Sequence, residues 1–206
     1  MEVYIAGEDQ ATKEILVRLI DNIEGLSIFI DLPARGGKIK SMISKFNSLS
    51  DTRPVILLTD LDQYNCPPEL LSVWFKKEVR NENFYARVAF DEAEAWLMAD
   101  REGFSNYFKV PIDKIPASTT ISRLKPDVNE LRFPYKSSLY FTNEIIPHSS
   151  SKQFREDFKS DTGSLKGPLY NTRLIPFIKN HWNIEMASSN SHSLRNTIRR
   201  LQTIVH

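Results

Sequence analysis

Residues Pro54 to Asn65 read PVILLTDLDQYN: four aliphatic residues in a row, a threonine, then two aspartates one residue apart. A short apolar run without alternation is the pattern of a strand covered on both faces, as in the middle of a parallel sheet. The stretch PVILLT therefore predicts a central strand. On the N-terminal side, Val3 to Ala6 is a second such run, ended by Gly7, and DQATKEILVRLIDNI then places Ile15, Leu16, Leu19, Ile20 and Ile23 at helical spacing. Leu26 to Leu32 (LSIFIDL) reads as a strand closed by Pro33, and KIKSMISKFNSL carries the helical stripe Ile39, Met42, Ile43 and Phe46. On the C-terminal side, Pro67 and Pro68 suit the first turn of a helix holding Leu70, Leu71, Val73, Trp74 and Phe75. Phe84 to Phe90 (FYARVAF) is a fourth strand, and DEAEAWLMAD reads as a helix. Four strands separated by three helical patterns require right-handed crossovers. The fold class is α/β: a Rossmann-like, mainly parallel four-stranded sheet flanked by helices.

The periodicity weakens after residue 100. Pro111, Pro116, Pro126, Pro134, Pro147 and Pro168 punctuate residues 109–170, and a polar SSSK run follows at 149–152. This predicts an extended connection with short elements and a mobile loop around 148–166. Helical patterning returns in LYNTRLIPFIKNHW and SLRNTIRRLQTIV, where Leu194, Ile198, Leu201 and Val205 oppose Arg195, Arg199 and Gln202. The expected organisation is a domain over residues 1–105, followed by residues 106–206 as an irregular connection and a mostly helical C-terminal extension packed on it.

Composition narrows the function. The chain has 206 residues, 41% hydrophobic and 26% charged, an ordinary globular balance. A net charge of +1 predicts no strong non-specific pull towards polyanions or membranes. The charge is unevenly spread, with nine Lys/Arg against four Asp/Glu in residues 151–206 and 18 against 22 before them. Cys66 is the single cysteine, which excludes an intrachain disulfide and disfavours a thiolate zinc site. No apolar run approaches the roughly 20 residues that span a bilayer. MEVYIAGEDQ lacks the basic start and apolar core of a signal peptide, so the expected location is cytoplasmic.

Ligands of an open parallel sheet collect outside the carboxyl ends of its strands. Glu8 follows the first strand, Asp60 and Asp62 the third, and Asp91, Glu92 and Glu94 the fourth. If the third strand continues through Leu61, Asp60 and Asp62 point to one side, because strand side chains alternate. Like charges held so close need a cation or raised carboxyl pKa values, and oxygen ligands without His or Cys favour Mg²⁺ or Mn²⁺. Each element also has a plainer reading. Asp60 and Asp62 fit turn positions, Glu8 and Asp9 fit caps of the first helix, and Asp91 with Glu94 fits a capping box. The turn Ala34-Arg35-Gly36-Gly37-Lys38 is not a Walker A loop, since Leu32 and Ile39 stand where Gly and Ser or Thr would be needed. It fits either a phosphate-holding helix N-terminus or a plain strand-to-helix turn.

With Glu8 after the first strand and Asp60-x-Asp62 after the third, residues 1–105 resemble a TOPRIM domain, the catalytic fold of topoisomerases, primases and OLD-family nucleases. Small stand-alone bacterial TOPRIM-like proteins are the most similar group. VAFDEAEAWLMAD resembles their strand–helix motif through Glu94, Ala95, Trp96 and Asp100, and the stretch from Leu169 through SLRNTIRRL resembles their tail. The first motif usually reads E-G-x-[ST]-[DE]; here Asp9 replaces the Gly and Thr12 stands where a second carboxylate often lies. The resemblance implies that Asp60 and Asp62 bind Mg²⁺ or Mn²⁺, that Glu8 is a further ligand or the general acid/base, and that Glu94 is an additional ligand. Lys38, or an arginine of the C-terminal helix, would offset transition-state charge. The implied activity is metal-dependent nuclease cleavage of DNA or RNA, as an effector of anti-phage (antiviral) defence working with an ATPase partner and without a membrane. Two alternatives stand beside it. One is a catalytically dormant TOPRIM-like regulatory or binding subunit. The other is a haloacid-dehalogenase-like phosphatase with Asp60 as nucleophile and Asp62 as acid/base, although Tyr64 occupies that motif's Thr/Val position.

Overall fold

The computed structural model of the chain describes residues 1–33, 36–76, 78–121, 128–160 and 166–205. Two compact units divide it: Met1–Phe90 with Asn196–His206, and Asp91–Arg195. The first unit therefore ends directly after the fourth strand, and the DEAEAWLMAD helix counts with the second unit.

The first unit alternates strand and helix in the expected order. It runs β1 (Glu2–Gly7), α1 (Gln10–Asp21), β2 (Ser27–Asp31), a 3₁₀ turn (Gly36–Lys38), α2 (Ile39–Leu49), β3 (Val55–Asp60), α3 (Pro67–Phe75) and β4 (Phe84–Ala89). The strands form one parallel sheet in the order β2-β1-β3-β4. β1 and β3 occupy the middle, as the unbroken apolar runs require, and Val55 to Leu58 are wholly buried. β2 is an edge strand with Phe29 and Ile30 exposed by less than half. One sheet face presents Ala6, Val55, Leu57, Phe84 and Ala86 to Ile39, Ile43 and Phe46 of α2 and to Phe75 of α3. The opposite face, by alternation, carries Val3, Ile5, Gly7, Ile56, Leu58, Asp60, Tyr85 and Arg87. There α1 buries Ile15, Leu16, Leu19 and Ile20, and Arg87 reaches Thr197 in the tail of the chain.

The second unit is helical. It comprises α4 (Ala93–Ala99), α5 (Arg101–Phe108), the two-residue strands β5 (Thr119–Thr120) and β6 (Asn129–Glu130), and α6 (Ser137–Tyr140). A π-helical turn (Phe141–Ile145) and a 3₁₀ turn (Ile146–His148) extend α6; α7 (Lys152–Asp157), α8 (Tyr170–Asn180), α9 (Ile184–Asn190) and α10 (His192–Gln202) follow, the last entering the first unit from Asn196. Its core is aromatic: Phe104, Phe108, Phe141, Phe158 and Phe177 are each at most 1% exposed and pack mostly edge-to-face, with ring centroids 4.9 Å apart for Phe104–Phe141 and for Phe141–Phe158. No helix among the described residues is long and apolar enough to cross a membrane.

Of the loop expected over residues 148–166, residues 148–160 and 166 are described and include a helix. Ser151 caps α7 by accepting from the Phe154 amide at 3.3 Å, and Phe158 just beyond the helix enters the aromatic core. The polar SSSK run is thus a helix start, which a hydroxyl acceptor favours. Residues 161–165 lie outside the described residues.

Candidate functional site

Sheet order fixes where a ligand can sit. From β1 the chain crosses to β2 over the α1 face, and from β3 it crosses to β4 over the α3 face. The neighbouring β1 and β3 are therefore the topological switch point, with a crevice outside their carboxyl ends. Glu8 and Asp60 stand at those two ends.

Glu8 follows Gly7, and Gly7 has a steric reason to be glycine. A Cβ there would lie 2.7 Å from the Lys13 amide nitrogen and 2.9 Å from Thr12 Oγ1, so any side chain would push α1 off the strand end. Asp9 then caps α1. Its carboxylate accepts from the Thr12 amide at 2.9 Å, and Thr12 Oγ1 accepts from the Asp9 amide at 2.9 Å. The two positions at which the first motif departs from the TOPRIM pattern, Asp9 and Thr12, are thus the two halves of one capping box. Asp9 takes the capping role and leaves Glu8 to the crevice.

The half-buried Glu8 carboxylate turns to β3. Thr59 Oγ1 donates to Glu8 Oε2 at 2.8 Å, and the Asp60 amide faces the same oxygen at 3.4 Å. Thr59 itself is fully buried. The Glu8 side chain thus meets the backbone of Asp60, 52 positions away, at the switch point, with a threonine hydroxyl fixing the carboxylate.

Asp62 departs from the geometry expected. β3 ends at Asp60; Leu61 makes one more sheet bond, to the Ala89 carbonyl at 3.0 Å, and Asp62 turns into the left-handed region with φ 50°. Leu61 packs with Leu70 and Val88, and the Tyr64 amide closes a turn onto the Leu61 carbonyl at 3.2 Å. Strand alternation therefore does not carry through to Asp62, which is exposed on this turn. Asn65 anchors the turn to α3, donating its amide and its side chain to Glu69 Oε2 at 2.9 and 3.0 Å.

The turn after β2 returns to the same edge. Gly36, at φ 51°, donates its amide to the Glu8 carbonyl at 2.7 Å. Lys38 is exposed at the start of α2 and makes no side-chain cap. Arg35 lies outside the described residues.

Carboxylates after β4 have protein partners within the second unit. Glu94 is 3% exposed, and its Oε1 accepts from Lys166 Nζ and from the Tyr170 hydroxyl, both at 2.7 Å. Burial raises its pKa, but the Lys166 ammonium and the two hydrogen bonds outweigh that and hold it below the usual glutamate range. Glu92 Oε2 accepts from the Ser138 amide at 2.8 Å and so satisfies the N-terminus of α6. Asp91 was expected to cap α4; instead the N-cap position falls on Glu92, without a side-chain bond, and Asp91 Oδ1 faces the Ser137 amide at 3.4 Å. The reason is backbone conformation, because Asp91 sits at φ 67°, turned away from the helix that follows. Burial, with the charges of Glu92 and Glu94 nearby, pushes its carboxyl up to about 7 against the opposing Ser137 hydrogen bond.

Among the described residues no three His, Cys, Asp or Glu side chains are grouped closely enough to hold a metal ion by themselves. Glu8 and Asp60 supply carboxylate oxygens at the two strand ends of the switch point, the donor type that Mg²⁺-like cations take, commonly through one or two carboxylates with several waters kept. Sequence reasoning put Glu8 and Asp60 at the ends of apolar strands, where the structure also has them. It missed Thr59, which reads as one more strand residue, and the Lys166–Tyr170 pair on Glu94, which lies over 70 residues away.

No family model and no curated protein matches the chain. Among solved structures it is similar to the C-terminal region of the Burkholderia pseudomallei OLD protein, with 15% identity over 99% of this chain and 98% of that one, and a TM-score of 0.39. A likeness that distant assigns no residue a role. What defines the class is the α/β sheet with acidic residues at its switch point.

Proposed function

We propose that the chain is a Mg²⁺- or Mn²⁺-dependent nuclease that cleaves phosphodiester bonds of DNA or RNA. The observation that carries this reading is the Glu8 carboxylate at the switch point, held by the Thr59 hydroxyl against the backbone of Asp60 at the neighbouring strand end. In this reading Glu8 and Asp60 hold the ion, which supplies charge neutralisation at phosphate oxygens and an activated water. Asp62 and Lys38, both exposed at this edge, are the next groups to test, as a further ligand and as a counter-charge for phosphate. Glu94, neutralised by Lys166, stays outside the ion's ligand set in this proposal. Action as a cytoplasmic effector of phage defence with an ATPase partner belongs to the same proposal and rests on the sequence resemblance alone.

The test is cleavage of labelled DNA and RNA with Mn²⁺ or Mg²⁺ present or chelated. Asp60→Ala is expected to abolish cleavage while keeping the wild-type circular dichroism spectrum. Equal cleavage by the two proteins removes the proposal. A second reading, a dormant TOPRIM-like binding subunit, is favoured by the altered first motif, whose Asp9 and Thr12 serve as a helix capping box. Calorimetry separates the two, since a dormant subunit takes up no Mn²⁺.

A further inference from the structure

Three arginines gather at the outer strand of the sheet. Tyr85 and Arg87 project from the same face of β4, and the exposed Arg200 lies across that face with its guanidinium carbon 5.1 Å from the Tyr85 ring centroid. Arg87 is half-buried and donates from Nε to Thr197 Oγ1 at 3.4 Å. Arg80, exposed on the loop before β4, is close enough to join Arg200 and burial in lowering the Arg87 guanidinium to about 10. Burial is the largest of these causes, and no acidic group acts against them. Among the described residues none of the three arginines forms an ion pair. Like charges held together this way repel one another, and the arrangement is relieved when an anion enters.

The position of the cluster favours one kind of anion. In the sheet Arg87 pairs with Leu58, and the next pair on the same face is the buried Ala89 with Asp60. From Arg80 on the loop before β4, past Arg200 at Tyr85, to Arg87, the arginines follow β4 toward the carboxyl edge of the sheet, where Asp60 ends the neighbouring β3. Guanidinium groups match phosphate oxygens with paired N–H donors, and an aromatic ring among them offers a stacking face. We infer that Arg80, Arg87 and Arg200, with Tyr85, form a track that binds successive phosphates of a nucleic-acid strand and leads it to the crevice of Glu8 and Asp60. The choice of nucleic acid over another polyanion rests on the nuclease reading above.

Binding is measured with the full chain in excess EDTA, so that cleavage plays no part. The probes are short fluorescein-labelled single-stranded DNA, duplex DNA and RNA, followed by anisotropy over a range of KCl concentrations. Arg80→Gln with Arg200→Gln, both at exposed positions, is expected to weaken binding about tenfold and to reduce the slope of log affinity against log salt by about 0.7–0.9 for each lost phosphate contact. Lys45→Gln, an exposed lysine on α2 across the sheet, is expected to change neither. An unchanged affinity in the double arginine variant overturns the track. So does an equal loss in Lys45→Gln, which would mean diffuse charge alone, and so does wild-type protein that ignores nucleic acid but binds an acidic peptide. The two proposals fail separately. Cleavage lost in Asp60→Ala but binding intact in the arginine variant leaves the nuclease without this track. Binding lost in the arginine variant with no cleavage by wild type leaves the track without the nuclease.

Discussion

At the scale of single residues, the crevice depends on Thr59 as much as on its carboxylates. The buried hydroxyl donates to Glu8 Oε2 at 2.8 Å and sets where that carboxylate points. A partner that orients a metal ligand is commonly worth ten- to hundredfold in metal affinity, while one hydrogen bond changes stability by about 1 kcal/mol. Thr59→Val keeps the shape and removes the donor. It is expected to fold, to lose about 1 kcal/mol in urea denaturation, and to bind Mn²⁺ about ten- to hundredfold more weakly by calorimetry. Undiminished Mn²⁺ affinity would show that Glu8 is not held for a cation. Glu8 and Asp60 were legible in the sequence because an apolar run followed by an acid marks a strand end. The direction of Asp62 was not, because it depends on a left-handed turn that no composition rule specifies, occupied by an aspartate where glycine is the usual signal.

At the scale of elements, the link from β4 to α4 illustrates how acidic residues can serve a fold without chemistry. Asp91 and Glu92 both face the amides that open α6, and the helix N-terminus favours their charge. Glu92 achieves this with a 2.8 Å bond; Asp91, at 3.4 Å and crowded by Glu92 and Glu94, does not recover its burial cost and rises to about 7. In the unfolded chain an aspartate titrates near 4. Between those values the folded state holds a proton that the unfolded state has released. Stability therefore falls as pH rises from about 4 to about 7 and is level above that. Asp91→Asn removes the dependence and tolerates the positive φ. At pH 8 it is expected to be more stable than wild type by about 1 kcal/mol, discounted for partial solvent screening, and the difference should vanish by pH 4. Denaturation midpoints at the two pH values check this, and a constant offset would mean that Asp91 is ionised throughout. The D-x-x-E spacing in the sequence suggested a capping box for the helix after it. Only the tertiary fold reveals that these carboxylates cap a different helix, more than 40 residues further along.

At the scale of the molecule, the four-stranded sheet was readable and the second unit was not, for reasons of range. Each strand–helix pair of the sheet announces itself within some 20 residues by an apolar run and a helical stripe. The second unit instead holds its proline-rich stretch through contacts without a period: Ser149 Oγ on the Phe108 carbonyl at 2.6 Å, and rings such as Phe141, Phe158 and Phe177 converging from separate segments. The tail shows both sides of this. Its apolar stripe was plain, but its membership of the sheet unit, from Asn196 on, could not be seen from residues that lie more than 100 positions beyond β4. Leu201 is 0% exposed, so truncating it should cost about 2–5 kcal/mol through lost burial and the cavity left behind. If the tail is part of the sheet unit, Leu201→Ala will weaken protection of amide hydrogens in β1, β3 and β4 and leave the aromatic core of residues 91–195 less affected. Hydrogen exchange resolved by peptide reads the two regions separately. Loss of protection confined to residues 91–195, with the strands unchanged, would assign the end of the chain to the helical unit.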